Sequence, residues 1–236
     1  MDKIVKGENM IYILGFIVLF YIIYFFVSIF NSEDTLESLY KKYMCIDNSK
    51  RMLGSDIAFL GRRYFNLDIK FAKTNGKMTD GYSPKKKVII MSEEVCDNES
   101  IASAAIVAHE LGHAVQQKNH SMLFVICTGL KKFTKIFNFL ILPMFIIGGI
   151  MYFVGFYQDV AYGILIIGII LACINILMNL LEIPLERNAS AIGFQFLKDN
   201  AIIDKKNYRK VKKLLSVASK TYMAGFFRSL IPFYRR

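Results

Sequence analysis

Cysteine is sparse in this chain of 236 residues, and the placement of the four it has excludes two readings at once. Cys45, Cys96, Cys127 and Cys173 form no Cys-x-x-Cys pair and no regular spacing, so they encode neither a cysteine-held metal nor a disulfide framework. Histidine is scarcer still, with three in all. The formal net charge is +11, yet there is no zinc-finger spacing, no aromatic-rich single-strand motif and no separate basic domain, which argues against nucleic acid as a partner. Internal repeats and low-complexity tracts are absent too. Basic residues are themselves missing from one long stretch, since no Lys or Arg occurs between Lys135 and Arg187.

Apolar residues fill that stretch and bring the hydrophobic fraction to 54%, too high for an ordinary soluble domain. Residues 10–30 carry no charge, and about 20 apolar helical residues are what a bilayer core requires. Two further uncharged runs, 136–158 and 160–181, are separated by Asp159. Three membrane spans are therefore predicted, the last two forming a helical hairpin with a very tight turn. A signal peptide is the rival reading of the first span, but its apolar core is too long and no small-x-small cleavage site follows before Asn31.

Lys131, Lys132 and Lys135 precede the hairpin, and Arg187 with Lys205, Lys206, Arg209, Lys210, Lys212 and Lys213 follow it. By the positive-inside rule both flanks are cytoplasmic, which places the N-terminus outside and makes a cytoplasmic catalytic segment of 31–135 together with 182–236. The same charge suits contact with anionic lipid headgroups, so the lipid bilayer is the expected partner.

Beyond the first span, Leu36, Leu39, Tyr40 and Tyr43 recur at helical spacing to about Met44. Gly54 and Ser55 read as a stop and an N-cap for a short helix holding Ile57, Leu60 and Tyr64. The period then changes. Asp68 to Thr74 and Lys87 to Met91 read as a small β-hairpin across a long connection, and an edge strand at 87–91 could pair with an extended peptide. Ser92 and Glu93 start a helical stretch, and Asn98 is the expected N-cap of a helix running from Glu99 to about Lys118. Residues 121–130 are apolar but too short to span. Pro184 is expected to close the third span and open a new helix, and Asp204 to cap the last one. The aromatic, basic tail from Thr221 reads as interfacial.

Within the helix at 99–118, residues 109–113 read His-Glu-Leu-Gly-His. Positions four apart share a helical face, so His109 and His113 can reach one zinc ion while Glu110 projects toward the open side of the metal as the general base. By ordinary residue frequencies the pattern arises by chance in well under about one per cent of chains this long, so it is read as a site and not as two surface histidines. Ala102, Ala105, Ala108, Gly112 and Ala114 make this helix narrow enough for a second backbone to approach. A catalytic zinc takes a third protein ligand, for which Glu182, Glu186 and His120 are candidates. His120 is seven residues past His113, where a third histidine is expected six past it, and Gln116 stands where a glycine turn is expected. Glu186 precedes a run of small residues, Ala189, Ser190, Ala191 and Gly193, able to lie against the His109 helix, and Ser190 could hydrogen-bond a ligand.

The stretches TDGYSPKKKVIIMSEEV, IASAAIVAHELGHAVQ and IPLERNAS resemble the bacterial membrane-bound neutral zinc metallopeptidases of the YugP type over nearly the whole chain. The resemblance implies a membrane-bound, gluzincin-like zinc peptidase acting on peptides or proteins. Where that family usually has Asp-His-Tyr-Asp-Pro, this chain has Asp80, Gly81, Tyr82, Ser83 and Pro84, so the family histidine and second aspartate are absent. The chain is also similar to the glutamate-zinc membrane proteases of the CAAX-processing and heat-shock type, whose third ligand opens a Glu-x-x-Ala motif. Glu186-Arg187-Asn188-Ala189 matches it, which implies Glu186 as the third ligand. Tyr82 is a candidate hydrogen-bond donor to the oxyanion of a tetrahedral intermediate.

The expectation is thus a mainly α integral membrane protein, one domain over 1–236, with a small β-hairpin beside the zinc helix. Its expected metal is Zn2+, held by His109, His113 and Glu186, with Glu110 as base. The alternative is a non-catalytic membrane scaffold or assembly factor with a structural zinc site, which would have no use for Glu110.

Overall fold

A computed structural model describes residues 36–75 and 79–228, so the first span expected at 10–30 and the end of the basic tail lie outside the described residues. In chain order the elements are α1 (36–44), α2 (Gly54–Tyr64), β1 (Lys70–Thr74), β2 (Gly81–Ser83), β3 (Val88–Ser92), α3 (Glu93–Cys96), α4 (Ile101–Lys118), α5 (Met122–Val154), α6 (Gln158–Asp199) and, after a 3-10 turn at Lys205–Asn207, α7 (Tyr208–Arg228). The fold is mainly helical with one small sheet.

α1 turns Leu39, Tyr40 and Tyr43 inward, as their spacing predicts. Two helix starts differ from expectation. Leu53, not Ser55, flanks α2 and no side chain caps it; the Gly54 N–H instead donates to the Asn98 carbonyl at 3.1 Å. α4 begins two residues later than expected, with the Ser100 hydroxyl accepting from the Ser103 N–H at 3.0 Å. Asn98 supports that cap from behind, its side-chain oxygen accepting from the Ser100 N–H at 2.8 Å.

The expected hairpin is a three-stranded sheet in the order β1-β3-β2. β1 runs parallel to β3, with Lys70 opposite Val88 and Thr74 opposite Ser92, while β2 runs antiparallel to it, with Tyr82 opposite Ile89. Within the stretch read as connection, Gly81–Ser83 is a strand, too short to show alternation, and the turn at 84–87 closes a β2–β3 hairpin. β3 is therefore central and has no free edge for a peptide. Asp80 fastens β2 to the far end of β3, where its carboxylate accepts from the Ser92 N–H at 2.6 Å and from the Ser92 hydroxyl at 3.1 Å.

Residues 121–130 and the second expected span are one helix, α5, because nothing from Lys131 to Lys135 breaks it. Its C-terminal cap is Gly155 in the left-handed conformation at φ 76°, so the hairpin turn lies at 155–157 and not at 158–159. Pro184 does not end the third expected span, since α6 passes through it unbroken. A proline inside a helix costs about 3 kcal/mol, but α6 packs along α5 before Pro184 and along α4 after it, and that packing outweighs the lost hydrogen bond. Asp204 flanks the 3-10 turn with no side-chain cap bond.

α4 is the centre of the core. Ala102, Ala104, Ala105, Val107, Ala108 and Leu111 are fully buried among α2, β3, α6 and α7. The α5–α6 hairpin is the opposite case, because its large apolar side chains face outward; Phe139 is 77% and Phe153 89% exposed. Among the described residues one helix, Gln158–Asp199, is long and apolar enough to cross a membrane, and Phe139–Val154 in α5 is apolar but shorter.

Candidate metal and active site

α4 and the second half of α6 cross at a seam of small residues. A Cβ on Gly112 would overlap the backbone of Ala189, and one on Gly193 would stand 2.6 Å from the Ala108 carbonyl carbon. Such an approach is available only where both faces lack side chains. It brings Glu186 over the face of α4 that carries both histidines.

His109 and Glu186 are buried, and His113 is nearly so. One carboxylate oxygen, Glu186 Oε2, lies 3.1 Å from His109 Nε2 and 3.4 Å from His113 Nε2. The two imidazoles meet edge to face with centroids 4.7 Å apart. Three ligand atoms, one from each residue, lie within 4.8 Å of one another, and among the described residues this is the group able to hold a metal. Tetrahedral zinc with bonds of about 2.0–2.1 Å requires ligand atoms about 3.3 Å apart, close to the 3.1 and 3.4 Å from Glu186 Oε2 to the two imidazole nitrogens.

The outer nitrogens are also engaged. His109 Nδ1 is 3.0 Å from the Ser190 hydroxyl, the bond anticipated from the one-turn spacing of Ser190 after Glu186. His113 Nδ1 is 3.0 Å from Gln116 Oε1. Both imidazoles thus have a partner on Nδ1 and direct Nε2 at the shared centre, as histidine ligands ordinarily do. Burial pushes the Glu186 carboxyl up, but hydrogen bonds and charge from His109 and His113 outweigh it and hold the group well below the usual carboxylate range. Burial pushes His113 down, and its contacts with Glu186 more than reverse this, leaving it above the ordinary histidine value.

Glu110 is buried beside the cluster, close enough for its charge to act on His113 and on Asp80. Burial, with a smaller contribution from Glu110, raises the Asp80 carboxyl despite the Ser92 hydrogen bonds. Tyr82 is half-buried on β2 and its hydroxyl donates to Gln117 Oε1, one turn beyond His113 on α4; burial raises its pKa. The other two candidates for third ligand are not brought into the cluster. His120 is exposed in the left-handed conformation that ends α4, at φ 49°. Glu182 lies one turn before Glu186, with its carboxyl raised by burial and by Glu186 against the pull of Lys131.

The profile of the family described as "Putative neutral zinc metallopeptidase" matches residues 17–236. The chain belongs to this family. Membership in it makes zinc the metal that the His109, His113 and Glu186 cluster would hold, and implies peptides or proteins as the substrate class. The chain is 27% identical over 212 residues to "Putative membrane protease YugP" of Bacillus subtilis (strain 168), a match covering 87% of this chain and 88% of that relative. No solved structure matches significantly.

Two supporting residues were not read from the sequence. In the sequence Gln116 stands only where a glycine turn is expected, and Asp80 only within the Asp80–Pro84 block. Gln116 is three residues past His113 on α4, a helical spacing that brings side chains together, and this could have singled it out.

Proposed function

We propose that the chain is a membrane-bound zinc metalloendopeptidase in which His109, His113 and Glu186 hold the metal and Glu110 is the catalytic base. The observation that carries this reading is the convergence of His109 Nε2 and His113 Nε2 on one Glu186 oxygen beside a buried Glu110. Zinc held by His109, His113 and Glu186 would act there as a Lewis acid that polarises the scissile carbonyl and lowers the pKa of a water. Glu110 removes a proton from the attacking water and passes it to the departing amine nitrogen. Tyr82 donates to the developing oxyanion once substrate displaces its hydroxyl from Gln117. Ser190 holds the His109 ring in place during turnover. Because β3 is central, an extended substrate pairs with β2, the strand that carries Tyr82.

The outward apolar faces of α5 and α6 make a patch that monomeric soluble proteins rarely expose, and lipid is its solvent. The hairpin turn has no Lys or Arg, whereas Lys131 precedes it and the basic α7 follows it. The site therefore faces the cytoplasm of a bacterial cell, with the hairpin turn outside. A scaffold with a structural zinc would need the ligands but not Glu110. The deciding experiment compares protein termini in cells carrying the wild type and Glu110→Gln. New termini present only with the wild type support a peptidase, and identical terminal profiles favour the scaffold.

A further inference from the structure

Gln116 is buried to 2% exposure, and each polar atom of its amide has a partner. Its Nε2 donates to the Leu185 carbonyl at 2.8 Å and to Asn188 Oδ1 at 2.9 Å, while its Oε1 lies 3.0 Å from His113 Nδ1. An amide nitrogen has two hydrogens, and both are used. The Leu185 carbonyl can only accept, so turning the amide over would set two oxygens against each other and an N–H against His113. Orientation is therefore fixed, and Oε1 is left as an acceptor. His113 Nδ1 must then carry the hydrogen, and in the neutral ring the lone pair lies on Nε2, toward Glu186.

Leu185 and Asn188 bracket Glu186 on α6, so one side chain of α4 bonds both its own histidine and the turn bearing the carboxylate. We infer that Gln116 is a positioning residue for the metal centre, selecting the His113 tautomer that offers Nε2 and locking the two ligand-bearing helices in the register that brings Glu186 to it. This rests on the reading of His113 as a ligand. Ser190 cannot serve His109 in the same way, because a hydroxyl donates or accepts as its neighbour requires. The amide makes the choice; the hydroxyl follows it.

The test uses the full chain purified in detergent, titrated with zinc against a chelator, in the wild type, His113→Ala and Gln116→Met. Met keeps the volume of Gln and removes donor and acceptor. The expected result is loss of tight zinc binding in His113→Ala and a 10- to 100-fold weaker affinity in Gln116→Met, the range for loss of an outer partner of a metal ligand. A second readout separates positioning from mere packing. With histidine 15N-labelled and zinc bound, the His113 Nδ1–H signal of the wild type exchanges slowly with solvent, and in Gln116→Met it exchanges faster while that of His109 is unchanged. Wild-type affinity in Gln116→Met, alongside loss in His113→Ala, overturns this inference alone. Zinc retained by His113→Ala overturns the underlying ligand assignment. Should Gln116→Met fail to fold, the exposed Asn188→Ala decides, since a few-fold weaker affinity supports the inference and an unchanged one overturns it.

Discussion

Substituting Gly112 by Ala isolates the helix seam from the chemistry, because it adds one methyl group between the two histidines and touches neither. In an exposed helix this change stabilises by about 1 kcal/mol, since glycine is the weaker helix former. Here the new Cβ would overlap the Ala189 carbonyl, which is backbone and cannot rotate away. Overpacking of a tight interior costs about 1–3 kcal/mol, and a clash with backbone belongs at the upper end. The net loss is about 2 kcal/mol, or about 4–8 °C in Tm for a chain of this size. Zinc should suffer as well. α4 and α6 must separate to admit the methyl group, and Glu186 Oε2, now 3.1 and 3.4 Å from the two imidazole nitrogens, is drawn away from them. An affinity loss of about tenfold or more is expected, comparable to losing an outer support of the ligands. The assay is thermal unfolding in detergent with and without zinc, together with chelator competition. A Gly112→Ala chain that melts at or above the wild-type temperature and binds zinc equally well would refute the close approach of the helices.

Zinc content measured in purified Glu186→Ala, Glu182→Ala and His120→Ala should fall substantially in the first alone; a full complement there, with loss in either of the others, shows the ligand to be misassigned. The zinc-free chain should be most stable at mildly acidic pH. The lowered Glu186 carboxyl contributes above its unfolded value of about 4.3 and is lost as pH falls further, whereas the raised His113 contributes fully below about 6.5 and is lost as pH rises through its folded value. Melting curves with chelator should accordingly decline above pH 7, and a flat or rising profile there contradicts the His113–Glu186 pairing. On a background without the native cysteines, a cysteine at Gln158 should be labelled from outside by an impermeant reagent and one at Asn119 only in opened cells; the reverse pattern would move the site to the outer face.

The chemical residues were legible because helical spacing alone puts His109, Glu110 and His113 together. The small residues of α6 signalled the partner helix, and Ser190 could be placed by counting one turn from Glu186. The sheet was less legible. A strand of three residues carries no alternation, and Asp80, which docks it, acts through Ser92 twelve residues away. Pro184 misled because local propensity marks a helix boundary, while tertiary packing on both sides of it carries α6 through. Asn98 misled for a similar reason, its carbonyl serving α2 and its side chain serving the residue that caps α4. Gln116 was hidden by its two remote partners, since Leu185 and Asn188 are about seventy residues away.

The most direct test of the central claim is a paired measurement on purified, zinc-loaded wild type and Glu110→Gln, with zinc stoichiometry and hydrolysis of a peptide library determined on the same samples. Glu110 is assigned as base and not ligand, so the variant should hold as much zinc as the wild type and lose hydrolysis by about two to four orders of magnitude. Hydrolysis retained in the zinc-loaded variant would contradict the account.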